Sequence, residues 1–162
     1  MAKQLGYACI NMTLAKQGIS CNRSMIRRTF DSKGVAYASE LILENLRNLT
    51  KIVSWNNQHG IKVYRMSSNM FPWMSEYEFT DLPDYDKICN LLKGIGTLAM
   101  ENGQRLSFHP GQFCVLASPN EEVVLNAMNE LDKSAQIMDL MGLPESRMAK
   151  INIHVGGAYG NK

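Results

Sequence analysis

Two histidines carry the first chemical signal in this 162-residue chain. His109 lies in Arg105–Phe113 (RLSFHPGQF) and His154 in Ile151–Lys162 (INIHVGGAYGNK). Each follows a short alternating run: Leu106 and Phe108 oppose Ser107 and His109, while Ile151 and Ile153 oppose Asn152 and His154. Each run then breaks into a Gly-containing turn. A histidine on the polar face at a strand's last residue suits an active-site position in a parallel α/β protein. One such ring is as readily a strand cap bonded to a backbone group. Two in equivalent places shift the balance towards shared metal ligation. His59 sits beside an expected helix C-terminus, complements its dipole, and is not counted as a ligand.

Elements able to position these rings follow from periodicity. Leu5–Met12 is an apolar run that predicts a first strand ending near Asn11. Thr13–Gly34 reads as a long loop. Ala38–Gln58 carries Ile42, Leu46, Leu49 and Val53 at helical spacing, with Ser39 as the expected cap and Gly60 as the stop. Ile61–Met66 predicts a second strand, followed by an irregular aromatic segment to Asp84. Tyr85–Asn102 predicts a helix burying Ile88, Leu91, Leu92, Ile95 and Leu98. Ser118-Pro119-Asn120-Glu121 reads as a helix start, with Ser118 capping and Val124, Met128, Leu131 and Ala135 inward. A fourth strand carries His154.

This βα order, with polar residues gathered at strand ends, predicts a parallel sheet. Four such units are half of an eight-stranded barrel. An open doubly wound sheet is the alternative, but its Gly-rich phosphate fingerprint is absent. The chain is also short for a whole barrel, which takes about 200 residues or more.

Composition is that of a water-soluble globular protein, with 45% hydrophobic and 20% charged residues. Eleven methionines read as core filling rather than a cofactor site. The four cysteines show no CxxC pair and read as free thiols; Cys9 and Cys114 are expected to be buried. No signal peptide or membrane-length apolar run is seen, so an intracellular, reducing setting is expected. The net charge of +2 does not mark a nucleic-acid binder, but Lys16–Lys33 holds Lys16, Arg23, Arg27, Arg28 and Lys33 against Asp31. That local +4 is either a solvated surface segment or a phosphate contact.

YRMSSNMFP (Tyr64–Pro72), LSFHPGQF (Leu106–Phe113) and INIHVGGAYG (Ile151–Gly160) resemble the UV-damage endonuclease family. LGYACIN and SELILENLRNLTKIVSWNNQHGI resemble it too, and the match runs through essentially the whole chain. The resemblance implies a TIM-barrel DNA-repair nuclease, related in fold to endonuclease IV, of which this chain is the N-terminal half, a single-domain portion ending after the fourth strand. It further implies nicking 5′ of UV photoproducts in damaged double-stranded DNA by a divalent-metal cluster, usually manganese. His109 and His154 would be metal ligands. Gln112 and Phe113 would probe the lesion from within the duplex, Phe113 standing where some relatives have Tyr. Tyr7 and Asn11 match lesion-proximal positions; read from residue type alone they are a buried strand residue and a turn former.

Arg23, Arg27 and Arg28 are phosphate-contact candidates on charge alone. The carboxylate and further histidine ligands of the family's later strands are not in these residues. The expected activity therefore needs a C-terminal half, further along or supplied in trans. The alternative is a non-catalytic, DNA-binding remnant. A sugar isomerase of related fold fits HPGQF and HVGGAYG less well.

Overall fold

The computed structural model describes residues 4–111 and 113–153. Among them the order is β1 (Gly6–Ala8), α1 (Met12–Ala15), α2 (Arg27–Gln58), β2 (Val63–Met66), α3 (Tyr85–Glu101), β3 (Arg105–Phe108), α4 (Glu121–Leu140) and β4 (Ala149–Ile151). Three 3-10 turns, Ser68–Met70, Met74–Glu76 and Phe79–Asp81, fill the segment between β2 and α3. No helix of the described residues is long and apolar enough to cross a membrane.

The strands form one parallel sheet in the order β1-β2-β3-β4. Register aligns Tyr7 with Tyr64, Tyr64 with Leu106, and Leu106 with Ala149. One row on, Met66 pairs with Phe108 and Phe108 with Ile151. These residues share a face, and Tyr64, Met66, Leu106 and Phe108 are completely buried. They join one core with Ile42, Leu46, Leu49 and Ile52 of α2, Ile88, Leu92 and Ile95 of α3, and Ile137 of α4. All three long helices therefore cover the same face. A doubly wound sheet would place helices on both faces, so sequential order with one-sided cover is the arrangement of a partial TIM barrel.

The structure corrects several sequence expectations. Part of the expected loop is helical: α1 begins at Met12, and α2 begins at Arg27 rather than near Ser39. The two halves of α2 meet at a break at Gly34 (φ 65°, ψ −161°), a backbone state open essentially to glycine alone. Ser39 is not a cap. It is buried within α2, where its hydroxyl accepts from the Asp84 backbone N–H and donates to the Asp84 carboxylate. At α4 the cap is Asn120, whose Oδ1 accepts from the Glu122 N–H; Ser118 lies two residues outside, its Oγ accepting from the Asn120 N–H. The buried stripe of α4 is also rotated. Ala127, Lys133, Ser134, Ile137 and Met138 face inward, while Met128 is half-exposed. Where α4 ends against α3, the Met141 carbonyl lies so close to Gly96 that a Cβ there would clash with it. Among the thiols, Cys21 and Cys114 are buried. Cys9 is only half-buried, because it lies beyond β1 in a left-handed turn (φ 58°) rather than within the strand.

Candidate active site at the carboxyl ends of the strands

The short segments following β1, β2 and β3 define the rim. After β1, Cys9 takes its positive φ with its N–H donating to the Arg65 carbonyl (2.8 Å). Its own carbonyl accepts from the Tyr64 hydroxyl (2.8 Å), which also meets Cys21 Sγ at 3.3 Å. Burial raises both the Tyr64 hydroxyl and the Cys21 thiol, so this junction stays protonated and neutral. The strained turn delivers Asn11, whose Oδ1 caps α1 by accepting from Thr13 and Leu14 N–H.

Tyr7 and Asn11 are brought together. Asn11 Nδ2 donates to the Tyr7 oxygen (2.8 Å), and that hydroxyl donates to Asn56 Oδ1 of α2 (2.6 Å). Burial raises the Tyr7 hydroxyl, partly offset by those two hydrogen bonds. The Tyr7 ring tilts against Tyr64 with centroids 5.1 Å apart, so it packs on the helix-covered face. Both residues line a cavity of about 220 Å³ with Trp55 and Thr13.

After β3, His109 Nδ1 lies 2.6 Å from the Asn152 carbonyl oxygen. A carbonyl only accepts, so Nδ1 carries the proton and a neutral ring has its lone pair on Nε2. Asn152 follows β4, and its own N–H donates to the Phe108 carbonyl, locking the two strand ends together. Beyond His109 the loop is fastened to α4 at two points. Glu130 Oε1 accepts from the Gly111 N–H (2.6 Å), and Cys114 Sγ–H donates to the Ala127 carbonyl (3.5 Å). Burial raises the Glu130 carboxyl, and the Gly111 bond partly opposes that rise. Between the two fastenings Phe113 projects with 81% of its surface exposed.

Two clefts meet at Phe113 and Glu130. The smaller, about 320 Å³, runs past Ser68, Asn69 and Gly111 to Ser24 and Met25; the larger, about 720 Å³, runs along α4 past Ser75 and Asn126. Arg23, Arg27 and Arg28 flank the smaller cleft in sequence, and two of them already hold carboxylates. Arg23 pairs with Glu44 (2.9 Å); Arg27 pairs with Asp31 (2.8 Å) and Glu76 (3.1 Å) and lies 5.4 Å above the Trp73 ring. Arg28 is exposed and makes no ion pair among the described residues. Glu44 and Glu76 thus offset half of the local +4.

Gln112 and His154 lie outside the described residues. Among the described residues no three His, Cys, Asp or Glu side chains gather as a metal site. His109 has the tautomer of a ligand, but the described donor set is incomplete for a metal cluster. His59 is no candidate: its ring stacks on Trp55 (3.8 Å) and Nδ1–H donates to the Trp55 carbonyl.

Sequence reasoning missed Glu130. Its signal was phase: with Ala127, Ser134 and Ile137 it lies on the inward stripe of α4, where an acid needs a donor.

A one-sided parallel sheet with its polar residues and clefts at the strands' carboxyl ends defines a TIM-barrel protein with an enzyme-type rim. The family model described as UV-endonuclease UvdE matches residues 3–162, and the chain belongs to that family. It is 40% identical over 161 residues to a putative UV-damage endonuclease of Acanthamoeba polyphaga mimivirus, covering 98% of this chain and 48% of the relative. It is 34% identical to the UV-damage endonuclease of Schizosaccharomyces pombe, covering 98% of this chain and 27% of that one. The crystal structure of SacUVDE superposes with a TM-score of 0.79 at 33% identity, covering 96% of this chain and 50% of that chain. The chain therefore spans about half the length, or less, of these relatives.

Proposed function

We propose that this chain forms the lesion-recognising part of a UV-damage DNA endonuclease, which hydrolyses a phosphodiester 5′ of UV photoproducts in duplex DNA during excision repair inside the cell. The single observation supporting this is the loop after β3, which fastens its backbone at Gly111 and Cys114 and leaves Phe113 bare beside two clefts. An aromatic side chain entering a base step costs about a few kcal/mol of unstacking, and a damaged step is already weakened. Rigid fastening removes the ordering cost that a free loop would add. Gln112 would enter beside Phe113, and Arg28, exposed and without an ion pair among the described residues, would meet a phosphate without giving up a carboxylate.

In this reading His109 and His154 hold part of a divalent-cation site, manganese or a similar ion, with carboxylates from the rest of the barrel in further polypeptide or in trans. Such a cation supplies an activated water and stabilises the leaving oxygen. The Asn152 carbonyl keeps the His109 ring in the tautomer this requires.

The test is a duplex with one UV photoproduct, incubated with manganese and the chain, alone and with the remainder of the mimivirus relative. Nicking 5′ of the lesion that is lost in His109→Ala is expected in the completed protein. Damage-selective binding without nicking in either form would leave a binding module and overturn the nuclease reading. Gln112→Ala should weaken damaged-duplex binding more than undamaged; equal losses would remove the probing role.

A further inference from the structure

The uncovered face of the sheet has a composition that the nuclease reading does not use. Register places Ala8, Arg65, Ser107 and Lys150 side by side in one row, with Val63 and Arg105 in the row beneath. The four strands contain three basic residues and no acid, and all three bases fall on this one face. None of them makes an ion pair among the described residues. The Nε atoms of Arg65 and Arg105 are already buried, yet each lacks a hydrogen-bond partner among the described residues. Two guanidinium groups on adjacent rows thus each keep an unmet Nε donor on the face that lines the interior of a barrel.

An arginine cannot shed its charge, so closing a barrel over this face would bury two cations. Apolar inward residues, the usual filling of a barrel, would leave them unpaired. We infer that the face formed by Arg65, Arg105 and Lys150 docks further strands whose inward side chains carry carboxylates facing the two arginines, a buried ionic layer beneath the strand-end site. The occupant is polypeptide, on two grounds. The sheet covers half of a homologous chain, and its outer strands β1 and β4 each pair on one side only among the described residues. This deepens the proposal that further strands complete the protein, and it makes charge the determinant of that completion.

The experiment compares Arg65→Met/Arg105→Met in two settings: the 162-residue chain alone, and that chain joined to the part of the mimivirus relative it does not match. Methionine keeps the aliphatic stem and removes the charge. In the chain alone, where no carboxylate faces the arginines, the midpoint of thermal unfolding should move by no more than about 2 °C. In the joined protein it should fall by about 10 °C or more, because carboxylates lose their partners. Arg65→Lys/Arg105→Lys in the joined protein should recover at least half of that loss; this arm does not depend on the isolated chain folding.

A neutral methionine variant in the joined protein would overturn the inference, since apolar groups would then face the arginines. Equal losses in both settings would overturn it as well, as would a joined protein with no transition above that of the isolated chain. If the variant instead weakens duplex binding by the isolated chain at unchanged midpoint, the face takes phosphate and the inference falls. The nicking assay is separate: a joined protein that shows the stability pattern without cleaving DNA keeps this inference and loses the nuclease reading.

Discussion

On one face of the sheet Tyr64, Met66, Leu106 and Phe108 are fully buried under α2, α3 and α4; on the other, Arg65, Arg105 and Lys150 stand with Ser107 and no covering helix among the described residues. Adjacent positions in one strand therefore do opposite work. Leu106 contributes apolar burial, worth about 1.5–3 kcal/mol for such a side chain. Arg105, its neighbour, contributes little until something faces it. The lesson is that the apolar burial stabilising these residues lies on the helix-covered side, whereas cations unpaired among the described residues lie on the other.

That contrast can be broken experimentally. Leu106→Ala should destabilise the chain by about 3–4 kcal/mol, whereas Lys150→Ala on the opposite face should stay within about 0.5 kcal/mol; urea unfolding of both checks it. Similar losses would show that both faces are packed. Gly96→Ala probes the covered side at its tightest point, where a new methyl meets the Met141 carbonyl. A cost of about 2 kcal/mol by the same method is expected.

At the rim the effects move from stability to binding. Phe113→Ala should leave the unfolding midpoint unchanged while lowering affinity for a damaged duplex by about tenfold, read by fluorescence anisotropy. Asn11→Ala removes the cap of α1 and the bond to Tyr7, and should cost about 1 kcal/mol. The last effect is chemical and leaves both stability and binding unchanged. Burial, with the Glu130 charge adding to it, pushes the Cys114 thiol up to about 11, so it stays protonated at pH 8. Its alkylation there should be about a hundredfold slower than that of free cysteine, as followed by mass spectrometry.

Legibility from sequence varied with the range of the interaction that decides each feature. The strand–helix alternation, the stop after Gln58 and the position of His109 at a strand end were readable because periodicity and turn chemistry are local. The expected loop at Thr13–Gly34 failed because α2 starts at Arg27, under aromatic residues contributed from beyond β2. Arg27 and Phe30 pack against Trp73, a contact no window of neighbouring residues reveals. The capping box at Ser118 failed by two residues, since Asn120 offered an equivalent oxygen closer to the first turn. Basic charge in Arg23–Arg28 was visible, but its neutralisation by Glu44 and Glu76 was not.

By itself, then, the sequence determined the repeating βα units, their family and the loop that carries His109 and Phe113. Those depend on patterns a few residues long and on motifs quoted in order. Only the tertiary structure decided which side of each strand is covered, which acid anchors Gly111 and which arginines make no ion pair among the described residues. Each of those depends on groups distant in sequence meeting across a sheet or a helix pair, and alternation alone gives two faces without saying which one is inside.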